Sequence, residues 1–405
     1  MTVAAFMDLA LYHPEFGYYA RADQRSGRAG DFFTSVDVGP LFGELLEIQL
    51  AEIASILQAT AKVAENAERI HHNSALSARS AVAFDLVEAG AGNGRLSADI
   101  LRAARARDPG FYDAIELHLV EASGEARNAQ RATLGDAGDR LASSSASLPS
   151  SFDGVLVANE LLDALPVHQV VMRDEGLREI YVDVARPFHS STSSGCPEPV
   201  EGQGRDDGDP KRVALRTIEG PPSTPALGEY LARLGVALQP GWRVEINLRA
   251  VEWMRDAARG LRRGFIILID YGHEARELYS PTHAAGTLTT YSAHRSVGSE
   301  SSAATPPWLQ SPGEQDITAH VDFTSVRAAA EEEGLQTLGF LDQTYFLLGL
   351  LGEGRAGRFE DDKQRRALKT LVMPGGLGST HKILIFGKGV GTPALCGCSY
   401  KMRVT

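Results

Sequence analysis

Cysteine is scarce in this chain, and long apolar runs are missing altogether. The 405 residues include 3 cysteines, too few for a disulfide framework, so the composition favours a reducing compartment. No apolar run reaches the roughly 18 residues of a membrane-spanning helix, and no charged-then-apolar secretion signal opens the sequence. We therefore predict a cytoplasmic protein with no targeting segment and no membrane insertion.

Dense runs of lysine and arginine are also missing, and the net charge is −12 at pH 7. A nucleic-acid-binding groove needs a basic stripe, so the sequence predicts no nucleic-acid partner. An acidic surface instead tolerates or attracts a cationic protein or peptide. The chain has 405 residues, and 43% of them are hydrophobic. This length and this hydrophobic share are enough for a large core divided between two lobes.

What the sequence does contain is a glycine turn between an apolar strand pattern and a helix pattern. The turn reads EAGAGNGR, in which Glu88 precedes Gly90, Gly92 and Gly94. A dinucleotide-binding turn would carry its third glycine where this chain has Arg95. The glycine pattern of this turn is the form seen in S-adenosyl-L-methionine (SAM)-dependent methyltransferases. The acidic side chain of Glu88 beside the turn suits a ligand with ammonium and sulfonium charges. The alternative is a tight turn without a ligand.

Acidic residues also follow the next two strand patterns of the same region. Glu121 ends the second strand, where a carboxylate can accept hydrogen bonds from both ribose hydroxyls. It can equally be a favourable charge at a helix N-terminus. Asn159 and Glu160 follow the third strand, with Asp163 close behind. Carboxylates at this edge can hold an arginine guanidinium in bidentate fashion, although an N-cap by Asn159 with a first-turn acid is the alternative.

The order of strand and helix patterns predicts a parallel sheet with helices packed on it. The first segments alternate between predicted strands (83–88, 115–121 and 153–158) and predicted helices (95–106 and 123–133). A predicted hairpin of 167–172 with 177–182 follows, and then helices near 226–236 and 249–262. The last predicted segments are a buried strand at 264–270, a loose linker at 296–313, and edge strands near 336–348 and 381–387. We divide the chain into an N-terminal helical and aromatic cap (1–80), the first part of the core (81–184), a disordered insertion (185–212), the rest of the core with a substrate lobe (213–390) and a tail (391–405).

Three clusters combine aromatic and polar residues, at 11–19, at 30–35 leading to 41–46, and at 315–323. We interpret them as more than packing, in an added lobe that caps the site; the alternative makes the aromatics a small packed lid and the polar residues helix caps. A single histidine such as His320 is more often structural than catalytic. No metal site is predicted, because the candidate ligands lack zinc spacing on one element; they are His13, His320, Asp316 and Asp322.

Taken in order, nine sequence blocks resemble the MidA-type SAM-dependent methyltransferase family. The blocks are ALYHPEFGYY (10–19), GDFFTS (30–35), LFGELL (41–46), VEAGAGNGRL (87–96), ANELLDALPVH (158–168), IDYGHEARELY (269–279), GTLTTYSAHR (286–295), QDITAHVDF (315–323) and MPGGLG (373–378). The chain departs from the family at Ala91, where a proline is usual, and at Val36 and Asp37, where Pro-Glu is common. Mitochondrial members of this family dimethylate an arginine of a core subunit during assembly of respiratory complex I.

The resemblance implies a class I methyltransferase fold, a Rossmann-like doubly wound sheet with an added helical and aromatic lobe. It implies SAM as cofactor and a protein substrate, such as a complex I subunit, as partner. Glu160 and Asp163 would orient the acceptor, because methyl transfer is an in-line displacement that depends on positioning. Weaker expectations give His320 and Tyr18 a substrate contact. The cofactor-binding residues expected by position are Glu88, Gly90, Gly92, Gly94, Glu121, Asn159, Gly30 and Thr34.

Three other functions are compatible with parts of the pattern. An assembly chaperone would use SAM only as a structural ligand. A small-molecule methyltransferase would use the added lobe to enclose a pocket instead of clasping a protein loop. A nicotinamide-dependent oxidoreductase is disfavoured, because Arg95 replaces the third glycine of the dinucleotide motif.

Overall fold

The computed structural model describes residues 1–20, 34–71, 83–185, 214–292, 295–298, 305–352, 361–373 and 376–400. Gly30, which the resemblance assigns to the cofactor site, lies outside the described residues. The insertion predicted at 185–212 also lies outside the described residues, except for Ala185. Its predicted disorder therefore stays a prediction.

The described residues form twelve helices, and polar side chains fix where several of them begin. Thr2, Ser123 and Asp322 each accept a hydrogen bond from a backbone N–H of the first turn that follows, which satisfies a donor that the helix itself leaves unpaired. The helices are α1 (Val3–Tyr12), α2 (Leu41–His71), α3 (Arg95–Arg107), α4 (Pro109–Ala114), α5 (Gly124–Leu134), α6 (Ala226–Leu234), α7 (Leu248–Gly260), α8 (Ala275–Leu278), α9 (Phe323–Glu332), α10 (Gln343–Leu351), α11 (Asp362–Val372) and α12 (Leu377–Thr380).

Fifteen strands complete the regular structure of the described residues. They are β1 (Phe84–Ala89), β2 (Ile115–Val120), β3 (Leu141–Ser145), β4 (Phe152–Asn159), β5 (His168–Arg173), β6 (Gly176–Val184), β7 (Leu215–Gly220), β8 (Arg243–Ile246), β9 (Leu261–His273), β10 (Thr289–Ser292), β11 (Arg295–Gly298), β12 (Asp316–Thr318), β13 (Val321–Asp322), β14 (Gln336–Asp342) and β15 (His381–Lys388).

The largest sheet has the strand order β14-β15-β9-β4-β1-β2-β3, with β13 paired to β9. Pairing is parallel from β3 across to β9, and β15 runs antiparallel to both of its neighbours. The chain leaves β1 toward β2 on one side and returns to β4 on the other. The strand order therefore reverses between β1 and β4, which is where doubly wound sheets bind ligands at their carboxyl edge.

Apolar side chains fill both faces of this sheet. In β9, five consecutive residues from Phe265 to Ile269 are at most 1% exposed, as expected for a central strand that is covered on both sides. Helices α2, α3, α10 and α11 contribute to the core on one face, and α6, α7 and α9 contribute to the core on the other.

Two antiparallel sheets and helix α1 form a third core beside the large sheet. The strand orders are β7-β6-β5-β8 and β11-β10-β12. Phe6 and Leu11 of α1 pack with Val171 of β5, Ile180 of β6 and Trp308. The N-terminal helix is therefore fixed on the β5–β6 hairpin.

The predicted doubly wound α/β architecture is confirmed. Every element predicted between residues 83 and 158 occurs within one residue of its expected bounds, and the predicted hairpin is β5 with β6. Within the described part of the chain, every helix is too short or too polar to cross a bilayer.

Several sequence predictions are wrong in detail. The edge strand predicted at 336–348 ends at Asp342, and the residues from Gln343 onward form helix α10. The segment 296–313 is not uniformly loose, because Trp308 is 1% exposed and belongs to the third core. β3 and α4 were not predicted.

The predicted C-terminal tail packs against α2 through Cys396 and Gly397. Cys396 is buried, and its backbone N–H donates to the Glu52 carboxylate of α2 at 2.8 Å. The N–H of Gly397 donates to the side-chain oxygen of Gln49 at 3.0 Å. These contacts fasten the end of the described chain to the long helix α2.

Candidate active site

The glycine turn lies at the carboxyl end of β1, and its three glycines adopt left-handed backbone angles. The φ angle is +71° at Gly90, +51° at Gly92 and +84° at Gly94, values that glycine adopts without steric cost. The N–H groups of Gly90 and Ala91 donate to the carbonyl of Val120 at 2.9 and 3.1 Å. A side chain at Gly92 would meet no described atom within 4 Å. As far as the described residues go, the backbone at Gly92 therefore faces open space that a ligand can fill.

Glu121 lies directly after β2 and holds the glycine turn in place. One carboxylate oxygen accepts from the N–H of Gly92 and the other from the N–H of Ser123, both at 2.8 Å. A carboxylate offers about four acceptor directions, so each oxygen keeps one for a ribose hydroxyl. The position fits the cofactor contact predicted for Glu121, which stays a prediction.

Glu88 points into the first turn of helix α3. Its carboxylate accepts a hydrogen bond from the backbone N–H of Ser97 at 3.2 Å and another from the Ser97 hydroxyl. Burial raises the pKa of Glu88 to about 7, against the lowering effect of the Ser97 hydrogen bonds. Glu88 supports the turn by fixing it to α3, and its predicted contact with the cofactor stays a prediction.

Replacing Glu88 by glutamine should stabilise the fold at neutral and alkaline pH. The folded protein keeps the Glu88 proton up to a pKa of about 7, whereas the ordinary value is 4.5. Between these values the unfolded state has fewer bound protons, so the free energy of unfolding falls as the pH rises. We expect Glu88→Gln to match the parent at pH 4 and to exceed it by up to about 3 kcal/mol at pH 8. Urea denaturation across this range measures the difference, and a gap that does not grow with pH would contradict the assignment.

A short 3-10 turn after Thr34 joins the glycine turn to the end of β4. The Thr34 hydroxyl accepts from the N–H of Asp37, whose carboxylate accepts in return from the N–H of Thr34 at 3.0 Å. Asp37 also pairs with Arg95 of α3 at 3.0 Å. The N–H of Ser35 points to the Glu160 carboxylate at 3.4 Å. The 3-10 turn that follows Thr34 thus borders both halves of the crevice, and the cofactor contact of Thr34 stays a prediction.

β4 ends at Asn159, and the chain turns sharply at Glu160. The φ angle of Glu160 is +50°, uncommon for a residue with a Cβ atom, and its N–H donates to the carbonyl of Ile269 at 2.8 Å. One carboxylate oxygen lies 3.3 Å from the amide nitrogen of Asn159 and 3.5 Å from Nε2 of His381. No helix begins here in the described chain, so the N-cap explanation for Asn159 is wrong. The turn instead holds Glu160 at the sheet edge.

Two buried carboxyl groups lie beside Glu160. Asp163 and Asp270 are 4% and 1% exposed, and Asp270 accepts from the N–H of Leu162 at 2.8 Å. Burial raises the pKa of Asp270 to about 7. Burial, followed by repulsion from Asp270, Asp316 and Glu160, raises the pKa of Asp163 well above its ordinary value. One oxygen of Asp163 is buried without a hydrogen-bond partner among the described residues.

Two tyrosines of the N-terminal aromatic cluster border these acids. The hydroxyl of Tyr12 donates to the carbonyl of Ala164 at 3.0 Å, and the hydroxyl of Tyr19 donates to Asp316 at 2.8 Å. Tyr18 is fully buried and packs edge-on against Tyr19. The ring of Tyr18 belongs to the third core, and its predicted substrate contact stays a prediction.

His381 is the site residue that sequence reasoning missed. It begins β15 and is 4% exposed. Burial lowers the pKa of His381, but the carboxylates of Glu160 and Asp163 and the backbone carbonyl of Leu377 raise it, so that the net shift is upward. The ring of Tyr271 lies against His381 at 5.8 Å and against His320 at 5.5 Å between centroids. The ring of Tyr271 thus contacts both His381 and His320. The substrate contact predicted for His320 stays a prediction.

These residues form two adjoining sites at the carboxyl edge of the sheet. The first is the open space at Gly92, bordered by the carboxylate of Glu121, which suits a ligand that carries a ribose. The side-chain oxygen of Asn159 is buried without a partner among the described residues, so a donor of such a ligand could reach it. The second site is the group of carboxyls around Asp163, which suits a cation.

Comparison with known proteins agrees with this geometry. Residues 66–341 match the model of a family described as "Putative S-adenosyl-L-methionine-dependent methyltransferase". The "Protein arginine methyltransferase NDUFAF7 homolog, mitochondrial" of Drosophila melanogaster is 27% identical over 423 residues, which cover 96% of this chain and 82% of the relative. The human "Protein arginine methyltransferase NDUFAF7, mitochondrial" is 28% identical over 374 residues, which cover 86% of this chain and 69% of the relative.

A solved structure shares both the fold and a substantial part of the sequence. It is a "likely methyl transferase" from Burkholderia thailandensis, bound to S-adenosyl-homocysteine. The TM-score is 0.74 and the sequence identity is 27%, with 98% of this chain and 90% of that chain covered.

Proposed function

The chain belongs to this family of SAM-dependent methyltransferases, and we propose that it transfers the methyl group of SAM to an arginine side chain of a partner protein. The proposal takes the enzyme class from the family. It takes the acceptor from the second site described above, and the naming of the relatives as protein arginine methyltransferases supports the same choice.

The observation that carries the arginine proposal is the buried acidic group at the end of β4 and β9. Asp163, Asp270 and Asp316 are each at most 4% exposed, and Glu160 lies next to them at the edge of the open crevice. Buried carboxylates that repel one another are costly. A guanidinium would remove this cost, since it brings one positive charge and a planar fork of donors that matches carboxylates.

The chain's own residues would position the reactants. When bound, SAM supplies an electrophilic methyl group on a positively charged sulfonium. Glu160 and Asp163 would hold the guanidinium so that one nitrogen keeps its lone pair directed at that methyl carbon. The nitrogen–carbon bond forms as the sulfur–carbon bond breaks, and the products are methylarginine, S-adenosyl-homocysteine and a proton. Positioning of this kind is the main lever on a displacement of this type.

The partner protein and the cellular location have less specific support than the reaction. A respiratory complex I subunit is the partner that the family resemblance supports. The predicted cytoplasmic location stays a prediction, since the relatives carry mitochondrial names.

A labelled-methyl assay tests the proposed function. Purified protein and SAM with a labelled methyl group are incubated with arginine-containing proteins, and with the same proteins after chemical blocking of arginine. We expect label only in the unblocked set, on an arginine nitrogen. Label in small molecules alone would favour the small-molecule methyltransferase. SAM binding without transfer to any acceptor would favour the chaperone with a structural SAM site.

Acceptor binding should strengthen as the pH rises toward 7. Burial raises the pKa of Asp270 to about 7, so below that pH a cation must displace a proton when it binds. One displaced proton corresponds to an affinity gain of up to about tenfold per pH unit below the pKa. Calorimetry of an arginine peptide with the S-adenosyl-homocysteine complex, at pH 6 and 8, measures this gain. Because the pKa of Asp163 is raised as well, the double variant Asp163→Asn/Asp270→Asn should flatten the dependence, and an equally steep profile in that variant would contradict it.

A further inference from the structure

Three histidines from three separate elements meet at the end of β9. His273 is the last residue of β9, His283 ends the 3-10 turn that begins at Pro281, and His320 lies between β12 and β13. One nitrogen from each ring lies within 4.8 Å of the others. The ring centroids are 4.8, 5.3 and 5.7 Å apart. Side chains far apart in sequence thus direct three nitrogen atoms toward one small volume.

In two of these rings, the contacts among the described residues indicate which nitrogen can offer a lone pair to a metal ion. Nδ1 of His283 lies 3.0 Å from the backbone carbonyl of Glu277. A carbonyl can only accept, so this nitrogen donates and Nε2 keeps its lone pair, which is how metal-binding histidines are commonly oriented. Nδ1 of His320 is buried without a hydrogen-bond partner among the described residues. Burial, followed by the nearby histidines, lowers the pKa of His320 to about 4.

Ring packing alone does not account for this arrangement. Three neighbouring imidazoles bury polar atoms, and a buried polar atom without a partner is costly. Tetrahedral zinc binds imidazole nitrogen at about 2.0–2.1 Å, which places the ligand atoms roughly 3.4 Å apart. Small rotations of the rings would bring the nitrogens from within 4.8 Å to that spacing. The Glu277 carboxylate lies 3.1 Å from Nδ1 of His273, where it adds negative charge that favours a cation.

We propose that His273, His283 and His320 bind a divalent transition-metal ion of the zinc type. The ion would tie the end of β9 to the turn at His283 and to the β12–β13 connection, next to the ring of Tyr271. Its role would be structural and separate from methyl transfer, so the proposal does not rest on the proposed function. The sequence predicted no metal site because no single element carries ligands at zinc spacing. The three histidines proposed here come from three separate parts of the chain.

A second group of possible ligands provides an internal control. Asp85, Glu116 and His118 also lie within 4.8 Å of one another. There both ring nitrogens of His118 already have partners, Ser143 at 2.8 Å and Asp85 at 3.4 Å. We therefore expect this second group to bind an ion much more weakly.

Metal titration of the full chain tests the proposal. The purified protein, treated with a chelator and dialysed, is titrated with Co²⁺ and then with Zn²⁺. We expect one equivalent of Co²⁺ to give the visible absorption of a tetrahedral site, displacement by Zn²⁺, and a rise in melting temperature. His320→Ala and His283→Ala should each weaken Zn²⁺ binding at least about 100-fold, whereas His118→Ala should bind as the parent does.

Two outcomes would overturn the proposal. One is the absence of stoichiometric binding to the parent protein at millimolar Zn²⁺. The other is binding that survives both His320→Ala and His283→Ala or that disappears with His118→Ala. His283 lies in a short surface turn, and retained S-adenosyl-homocysteine binding by His283→Ala would show that this variant is folded. Failure of the metal test would leave the methyl-transfer proposal untouched.

Discussion

Replacing Gly92 by valine should abolish cofactor binding while leaving the fold intact. The added side chain would occupy the space beside the turn, where the present structure has no described atom within 4 Å of a Cβ position. Valine would also strain the backbone, since φ is +51° at this residue, at a cost of about 1–2 kcal/mol. We expect the affinity for S-adenosyl-homocysteine, measured by calorimetry, to fall by at least about 1000-fold, since a cofactor cannot share that volume.

Gly235 offers a matched control for this prediction. It caps helix α6 with a φ of +62° and likewise has no described atom within 4 Å of a Cβ position. Gly235→Val should therefore lose a similar amount of stability, seen in urea denaturation, but keep the parent's affinity for S-adenosyl-homocysteine. Equal losses of affinity in both variants would show that strain, not occupation of the ligand space, explains the result at Gly92.

The parts of the site that local sequence encodes could be predicted. A glycine turn between a buried strand and a helix identifies itself by residue type, and Glu121 and Glu160 follow their strands directly. In a parallel sheet the carboxyl ends of neighbouring strands share one edge. The pattern of strands is therefore enough to predict that these acids lie at the same edge of the sheet.

The residues that the sequence did not reveal depend on pairing between distant strands. His381 reaches Glu160 because β15 runs antiparallel beside β9, which places His381 opposite Tyr271. No local pattern specifies that register. The histidine cluster has the same cause, since one of its members lies on β9 and the other two lie in connections that fold back over its end.

The unpredicted burial of two aromatic rings and the misplaced end of the edge strand have a different cause. Tyr18 and Trp308 lie in segments punctuated by glycine and proline, so neither showed the periodicity of a buried face. Tertiary packing nevertheless buries both rings in the third core. The residues after Asp342 are apolar enough for either a strand or a helix, and short apolar runs cannot be distinguished by periodicity alone.

Replacing Glu160 by glutamine should reduce turnover by at least about 100-fold and leave cofactor affinity within about threefold of the parent. The amide oxygen of glutamine can still accept from the N–H of Ser35 and the side chain of Asn159, so the local turn should survive. What is lost is the charge that would hold a guanidinium, and charge-assisted contacts of this kind are worth about 2–4 kcal/mol in a preorganised site. Labelled-methyl turnover with the acceptor found in the functional assay, together with S-adenosyl-homocysteine calorimetry, measures both effects.

Glu116→Gln serves as the control for the loss of a carboxylate at Glu160. Glu116 is exposed on β2, away from the β4 edge, so turnover should stay at the parent level. Unchanged turnover in Glu160→Gln would mean that the acceptor is not held by this carboxylate, and its assigned role would be wrong. Loss of cofactor affinity along with turnover would instead place Glu160 in the cofactor site. Only a selective loss of turnover supports an acidic site that orients a cationic acceptor beside the bound cofactor.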